Sequence, residues 1–122
     1  MEELTKTEER IMMIFWKLKK GFVKDVIEEI RELPKPPYNT ISSVVRILVS
    51  KGYLSFRAYG KTYEYYPKIT KSEYRKIELK KIISGYFSDS PASLLSFMVK
   101  EENLSKEEID KLKDIINKIE YD

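Results

Sequence analysis

The hydrophobic period of this chain changes at Gly52, and the change restricts the order of elements it can adopt. Upstream, apolar residues fall at three- and four-residue intervals in three separate runs, the spacing that lines one face of an α-helix. Downstream they alternate, as in a strand with one face covered. Thr5-Lys-Thr-Glu8 has the form of a capping box, the Thr5 hydroxyl serving one free amide and Glu8 reaching back to another, and Ile11, Ile14, Phe15 and Leu18 follow it. A first helix is expected over about 5–19, stopped by Gly21. Val23, Val26, Ile27 and Ile30 mark a second over about 23–32. Pro34, Pro36 and Pro37 then break the chain, with Pro37 acceptable in a new first turn or Asn39 as its cap. Ile41, Val44, Val45 and Leu48 place a third helix at about 38–51, with Gly52 at its C-terminal cap.

Beyond Gly52, Leu54, Phe56 and Ala58 alternate with Tyr53, Ser55 and Arg57, Tyr59-Gly60 turns the chain, and the aromatic run Thr62 to Tyr66 ends at Pro67. Three helices followed by a hairpin is the order of a winged helix-turn-helix. Thr70-Lys-Ser-Glu73 opens a further helix to about Phe87 bearing Tyr74, Ile77, Ile82 and Ile83, Ser90-Pro91 starts another, and Ser105 with Glu108 caps a last one. The expected fold is therefore mainly α with a small β-hairpin. A winged helix-turn-helix over 1–69 precedes a helical dimerisation region over 70–122. Trp16 is expected as a core anchor, Met12 and Met13 as core filler, and Tyr53, Phe56, Tyr65 and Tyr66 as core and hairpin packing rather than base-stacking residues.

At 122 residues and 42% hydrophobic residues the chain can bury a core unaided. It contains neither Cys nor His, which removes disulfides, thiolate metal sites, the commonest general base and the usual zinc ligands. Lys100-Glu-Glu and Lys106-Glu-Glu place their acids among lysines, as solvated faces do, and no Gly-rich phosphate loop or nucleophile–base pair is present. No catalysis, metal, cofactor or small-molecule substrate is expected. The longest mostly apolar run, Ile11 to Trp16, is too short to span a bilayer and Met1-Glu-Glu lacks a signal peptide's basic start, so a soluble, cytoplasmic protein is expected. The net charge of +3 is unevenly spread: +8 over residues 35–81, −4 over 82–122 and −1 over 1–34. A basic middle between neutral and acidic ends suits a chain with one face against a polyanion.

Two constellations bear on that face. Thr40, Ser42, Ser43 and Arg46, with Tyr38 and Asn39 at the start of the same helix, lie away from the apolar stripe. Short hydroxyl side chains let a backbone approach a DNA groove, Asn pairs with adenine, and Arg forks onto guanine or binds phosphate. An ordinary amphipathic helix with small polar residues outside would read the same. In the hairpin, Arg57 and Lys61 flank the tip where a wing lays cations on a phosphate backbone, with Tyr63 as a further donor; an edge hairpin kept soluble by charge is the other reading. The tail is richer in apolar residues than thin helices need: Leu94, Leu95, Phe97, Met98, Leu104, Ile109, Leu112, Ile115, Ile116 and Ile119. A self-complementary dimer would bury them and pair two reading heads, while folding back onto the N-terminal part would bury them within one chain.

Leu4-Thr-Lys-Thr-Glu-Glu-Arg-Ile-Met, Phe15-Trp16, Tyr38-Asn-Thr-Ile, Leu48 to Gly52-Tyr-Leu and Gly60-Lys-Thr-Tyr-Glu-Tyr-Tyr-Pro67 together resemble the penicillinase repressor (BlaI/MecI) family, and the resemblance runs over essentially the whole chain. It implies a homodimer on a palindromic double-stranded DNA operator, released when a membrane-bound zinc-peptidase sensor triggers cleavage of the repressor. In better-known members the cut falls after an Asn and before a Phe of the first dimerisation helix; the matching pair here is Ser96-Phe97, without the Asn. Asn39 and Ser42 stand where penicillinase repressors often carry Lys and Arg, so a different operator is implied. A copper-responsive branch uses a C-terminal cysteine motif, which this chain lacks. The expected function is that of a sequence-specific DNA-binding transcriptional repressor. A winged-helix module that binds another protein is the alternative from a different class, since fold alone does not dictate function.

Overall fold

Most helices in the computed structural model, which describes residues 1–118, begin where a side chain serves their first amides. α1 (Lys6–Leu18) starts at a capping box, the Glu8 amide donating to the Thr5 hydroxyl and the Thr5 amide to the Glu8 carboxylate, each at 3.1 Å. α2 (Val23–Glu29) starts where the Phe22 amide donates to Asp25 Oδ2 at 2.8 Å. α3 (Tyr38–Ser50) follows Pro37, whose extended backbone is its N-cap, so Asn39 lies within the helix rather than capping it. β1 (Leu54–Tyr59) and β2 (Thr62–Pro67) pair antiparallel from Leu54↔Pro67 to Tyr59↔Thr62. α4 (Lys71–Tyr86), α5 (Pro91–Glu101) and α6 (Lys106–Asn117) complete the order, with Thr70, Ser90 and Ser105 accepting from the amides of Glu73, Ser93 and Glu108.

The chain divides into two compact units, Met1–Arg75 and Lys76 onward. In the first, α1 contributes Ile11, Met12 and Phe15 to the core, α2 Val23 and Val26, α3 Ile41, Val45 and Leu48, and the start of the hairpin Tyr53 and Leu54. Three helices and a two-stranded hairpin about that core make a winged helix-turn-helix, and the remaining elements among the described residues are helices. The start of α4 is held to this unit: Trp16 Nε1 donates to the Ile69 carbonyl at 2.9 Å, the Tyr74 ring packs 5.3 Å from Trp16, and the Tyr74 hydroxyl donates to Glu9. In the second unit the Phe87 and Phe97 rings meet edge to face at 5.5 Å, and no residue of α5 or α6 among those described is buried. No helix among the described residues is long and apolar enough to cross a membrane.

Several expectations change. Gly21 does not close α1; Lys19, in the left-handed region at φ 72°, does, and Gly21 instead exchanges two backbone hydrogen bonds with Tyr65 at 2.8 and 2.9 Å. α2 ends at Glu29 rather than about 32, because the Lys35 ammonium satisfies the Ile27 and Glu28 carbonyls and Ile30 turns extended to reach the core. Trp16 is half-buried at the unit's edge and Met13 is exposed, whereas Met12 is fully buried. Phe56 and Tyr66 are exposed too, since the hairpin projects past the core; Phe56 packs edge-on against Tyr63 at 5.0 Å instead.

A partly buried ion pair ties the first helix to the end of the third. Lys51 Nζ lies 2.6 Å from Glu8 Oε1 and also donates to the Glu3 carbonyl. Burial alone would raise the Glu8 carboxyl, but hydrogen bonds from Lys51 and the Thr5 amide, the Lys51 charge and the Thr5 hydroxyl together hold it below its ordinary 4.5. Depression in the folded state means a stabilisation complete above the unfolded value and lost as pH falls through the lower folded one. Glu8→Gln is therefore expected to lower the melting temperature at neutral pH, with the gap to wild type closing as pH is taken below about 4.5. Thermal melts of both proteins across that window are the check.

Candidate nucleic-acid interface

The surface of α3 is divided by the pattern that folds it. Ile41, Val45 and Leu48 point inward, leaving Asn39, Thr40, Ser43, Arg46, Ile47 and Ser50 exposed, with Tyr38 exposed at the first turn. No side chain caps the helix start, so its leading amides and the positive end of its dipole add to the attraction for a polyanion. Ser43 Oγ donates to the Asn39 carbonyl at 2.9 Å, which keeps its hydroxyl low on the helix and lets a groove approach closely.

Ser42 sits differently from its sequence expectation. It is 8% exposed, on the flank of α3 that turns toward the hairpin, and its hydroxyl accepts from Arg46 Nη2 at 3.2 Å. The residue expected to face bases thus rests against the guanidinium one turn on, and Arg46 remains exposed. Ile47, 44% exposed among polar neighbours, is a member of this face that the sequence reading missed. Its signal is its spacing: four residues from Ser43, it lies outside the stripe of Ile41, Val45 and Leu48. An apolar side chain there suits contact with a thymine methyl group.

The hairpin register separates the wing residues. Ala58 pairs with Tyr63 and Phe56 with Tyr65, so these four share one face; Arg57 pairs with Glu64 on the other. Glu64 also lies 4.0 Å from Lys20, so Arg57 stands within a small surface charge cluster. Lys61 occupies the tip beside Gly60, whose φ of 61° provides the positive-φ position of a two-residue hairpin loop, and both are exposed. Tyr63 is exposed on the face shared with Tyr65. Cations of the basic middle are also held within the protein: Lys51 by Glu8, Lys35 by the end of α2 and Lys81 by Glu78.

The hairpin and the start of α3 border a common cleft, lined by Tyr38, Ser42 and Arg46 from the helix and by Lys61, Thr62 and Tyr63 from the wing. That brings together five of the nine expected contact residues, Tyr38, Ser42, Arg46, Lys61 and Tyr63; Asn39, Thr40 and Ser43 lie on the exposed face of α3 outside its lining, and Arg57 stays on the far side of the hairpin. Of the tail residues, Phe97, Ile115 and Ile116 are exposed, Leu94, Leu95, Met98, Leu104, Ile109 and Leu112 are half-buried, and Ile119 lies outside the described residues. Ser96 and Phe97 are adjacent exposed residues in the middle of α5.

The sequence family described as penicillinase repressor matches residues 4–118. The chain is 28% identical over 116 residues to the methicillin resistance regulatory protein MecI of Staphylococcus aureus (strain N315), covering 95% of this chain and 94% of that protein. It is 24% identical over 114 residues to the penicillinase repressor of Bacillus licheniformis, covering 93% and 89%. Among solved structures, the DNA-binding domain of the repressor BlaI is similar with a TM-score of 0.51 and 26% identity, over 59% of this chain and 88% of that one. The hsRosR-S4 complex structure is similar in fold, with a TM-score of 0.54 at 16% identity over 84% and 91%.

Proposed function

The chain belongs to the penicillinase repressor family, and from that premise we propose that it is a DNA-binding transcriptional repressor that reads a palindromic operator as a homodimer. The observation that carries the reading is the exposed face of α3 set beside the Lys61 tip, with Arg46 between them. In this reading Asn39, Thr40, Ser43, Arg46 and Ile47 meet base edges or nearby phosphates, while Lys61, Arg57 and the Tyr38 and Tyr63 hydroxyls grip the backbone. Ser42 serves from behind by supporting Arg46. The exposed apolar residues of α5 and α6 pair two copies, and repression follows from occupying the promoter.

The family resemblance implies proteolytic release, with Ser96 standing here where better-known members carry the Asn of the cut. Scission of the exposed Ser96–Phe97 bond, downstream of a membrane sensor peptidase, would detach α6 and half of α5, and with them much of the pairing surface.

The test is selection of bound duplexes from a random pool, followed by a salt titration on the selected site. Two inverted half-sites are expected, their centres spaced by whole helical turns. With Arg57 and Lys61 in each protomer, a dimer neutralises on the order of four phosphates, so affinity falls about 10²-fold between roughly 50 and 200 mM salt. A winged module that binds only protein would yield no enriched duplex and no such slope.

A further inference from the structure

The cleft between α3 and the hairpin has a volume of about 560 Å³ and a one-sided chemistry. Lys24, Arg46 and Lys61 supply positive charge, Phe22 and Val23 an apolar wall, and no carboxylate among the described residues lines it. Tyr65 supplies an unused donor. Its ring is 7% exposed and packs on Phe15 at 6.3 Å, and its backbone is bonded to Gly21 in both directions, so the phenol is held in place. Among the described residues its hydroxyl has no hydrogen-bond partner, yet no buried side-chain polar atom is left unpaired, so the hydroxyl opens to the cleft it lines. The groups around it agree. Burial pushes the Tyr65 phenol up, Tyr38 adds to the rise, Arg46 opposes it and Tyr63 adds again, and all three neighbours line the cleft. The hydroxyl therefore keeps its proton at neutral pH and donates.

We propose that this cleft binds a small organic oxyanion, a carboxylate or phosphate monoester carried on a flat apolar body, and that this ligand and the operator exclude each other. The anion takes Tyr65, Arg46 and a lysine, and the body lies on Phe22 and Val23; the volume is that of an ordinary small-ligand site. A duplex phosphate would use the cations but has no group for the apolar wall. Exclusion follows because Arg46 cannot serve both occupants and a ligand seated there lies between α3 and the wing tip at Lys61; this half rests on the repressor reading, whereas binding to the free protein does not.

The test titrates the full chain with phenyl phosphate, inorganic phosphate and phenol, followed by amide chemical shifts. Phenyl phosphate is expected to saturate one site per protomer, shifting residues of the cleft, with inorganic phosphate and phenol each weaker by about tenfold or more. Tyr65→Phe, which keeps the ring and removes the hydroxyl, is expected to weaken phenyl phosphate about tenfold while leaving melting and duplex affinity unchanged. Phenyl phosphate should also release a bound duplex. Absence of saturation, equal binding of inorganic phosphate, or equal loss of duplex and phenyl phosphate in Tyr65→Phe would overturn the proposal. Should phenyl phosphate bind in a Tyr65-dependent way while no duplex binds at all, the ligand site stands and the repressor reading falls.

Discussion

Ile116→Asp is expected to leave the chain folded but monomeric, and to lower operator affinity by about 10²–10⁴-fold, the range lost when two linked contacts become independent ones. Ile116 and Ile115 are exposed on α6, a helix with no buried residue among those described, so a charge there costs the isolated protomer little. In a dimer the same carboxylate would be carried into an apolar seam beside its symmetry mate. The interface meets the substitution twice, because a twofold interface uses the same patch on both partners. Sedimentation equilibrium reads the assembly, circular dichroism the fold, and duplex binding the consequence. A variant that stays dimeric would take Ile116 out of the seam, and a monomer that binds as tightly as wild type would remove the homodimer from the mechanism.

The second large effect is expected at Arg46. Truncation to Ala should cost about 1–3 kcal/mol per half-site and relax discrimination at one base pair of each half, the signature of a lost fork onto a base edge. Lys61→Ala should differ in kind: a loss nearly uniform across sequences, with the log–log salt slope of a dimer reduced by about two, one phosphate contact per protomer. Running both variants on the selected operator and on a scrambled duplex separates reading from gripping. Identical behaviour of the two would mean that α3 carries no base contact through Arg46.

Local rules carried far into this fold where each residue's role was decided by its neighbours in sequence. The Thr5 and Thr70 boxes, the apolar faces of α1 and α3, the left-handed Gly52 after α3 and the alternation of the hairpin are all settled within a few positions of themselves. Long-range contacts were not legible. Nothing near Gly21 announces Tyr65, 44 positions away, and nothing near Lys51 announces Glu8. The same limit governs the site. The polar side of α3 could be drawn from periodicity, but whether Ser42 at its margin faced water depended on the hairpin lying alongside. The register that sends Arg57 and Tyr63 to opposite faces depends on which residues the loop leaves unpaired. Ile47 went unnoticed because an apolar residue on a polar face is a fault in folding terms and an asset only in recognition.

The paired backbone bonds between Gly21 and Tyr65 bear on solubility as well as on fold. A two-stranded ribbon with Phe56, Tyr63 and Tyr66 in the open is a ready template for a foreign strand, and its free edges invite one. Gly21 occupies the outer edge of β2 at Tyr65, one step from those rings, and so interrupts the row of amides and carbonyls an incoming strand would need. Along β1, Arg57 breaks the apolar sequence with a charge. The exposed aromatic surface that a wing presents to other molecules is in this way kept from presenting itself to its own kind.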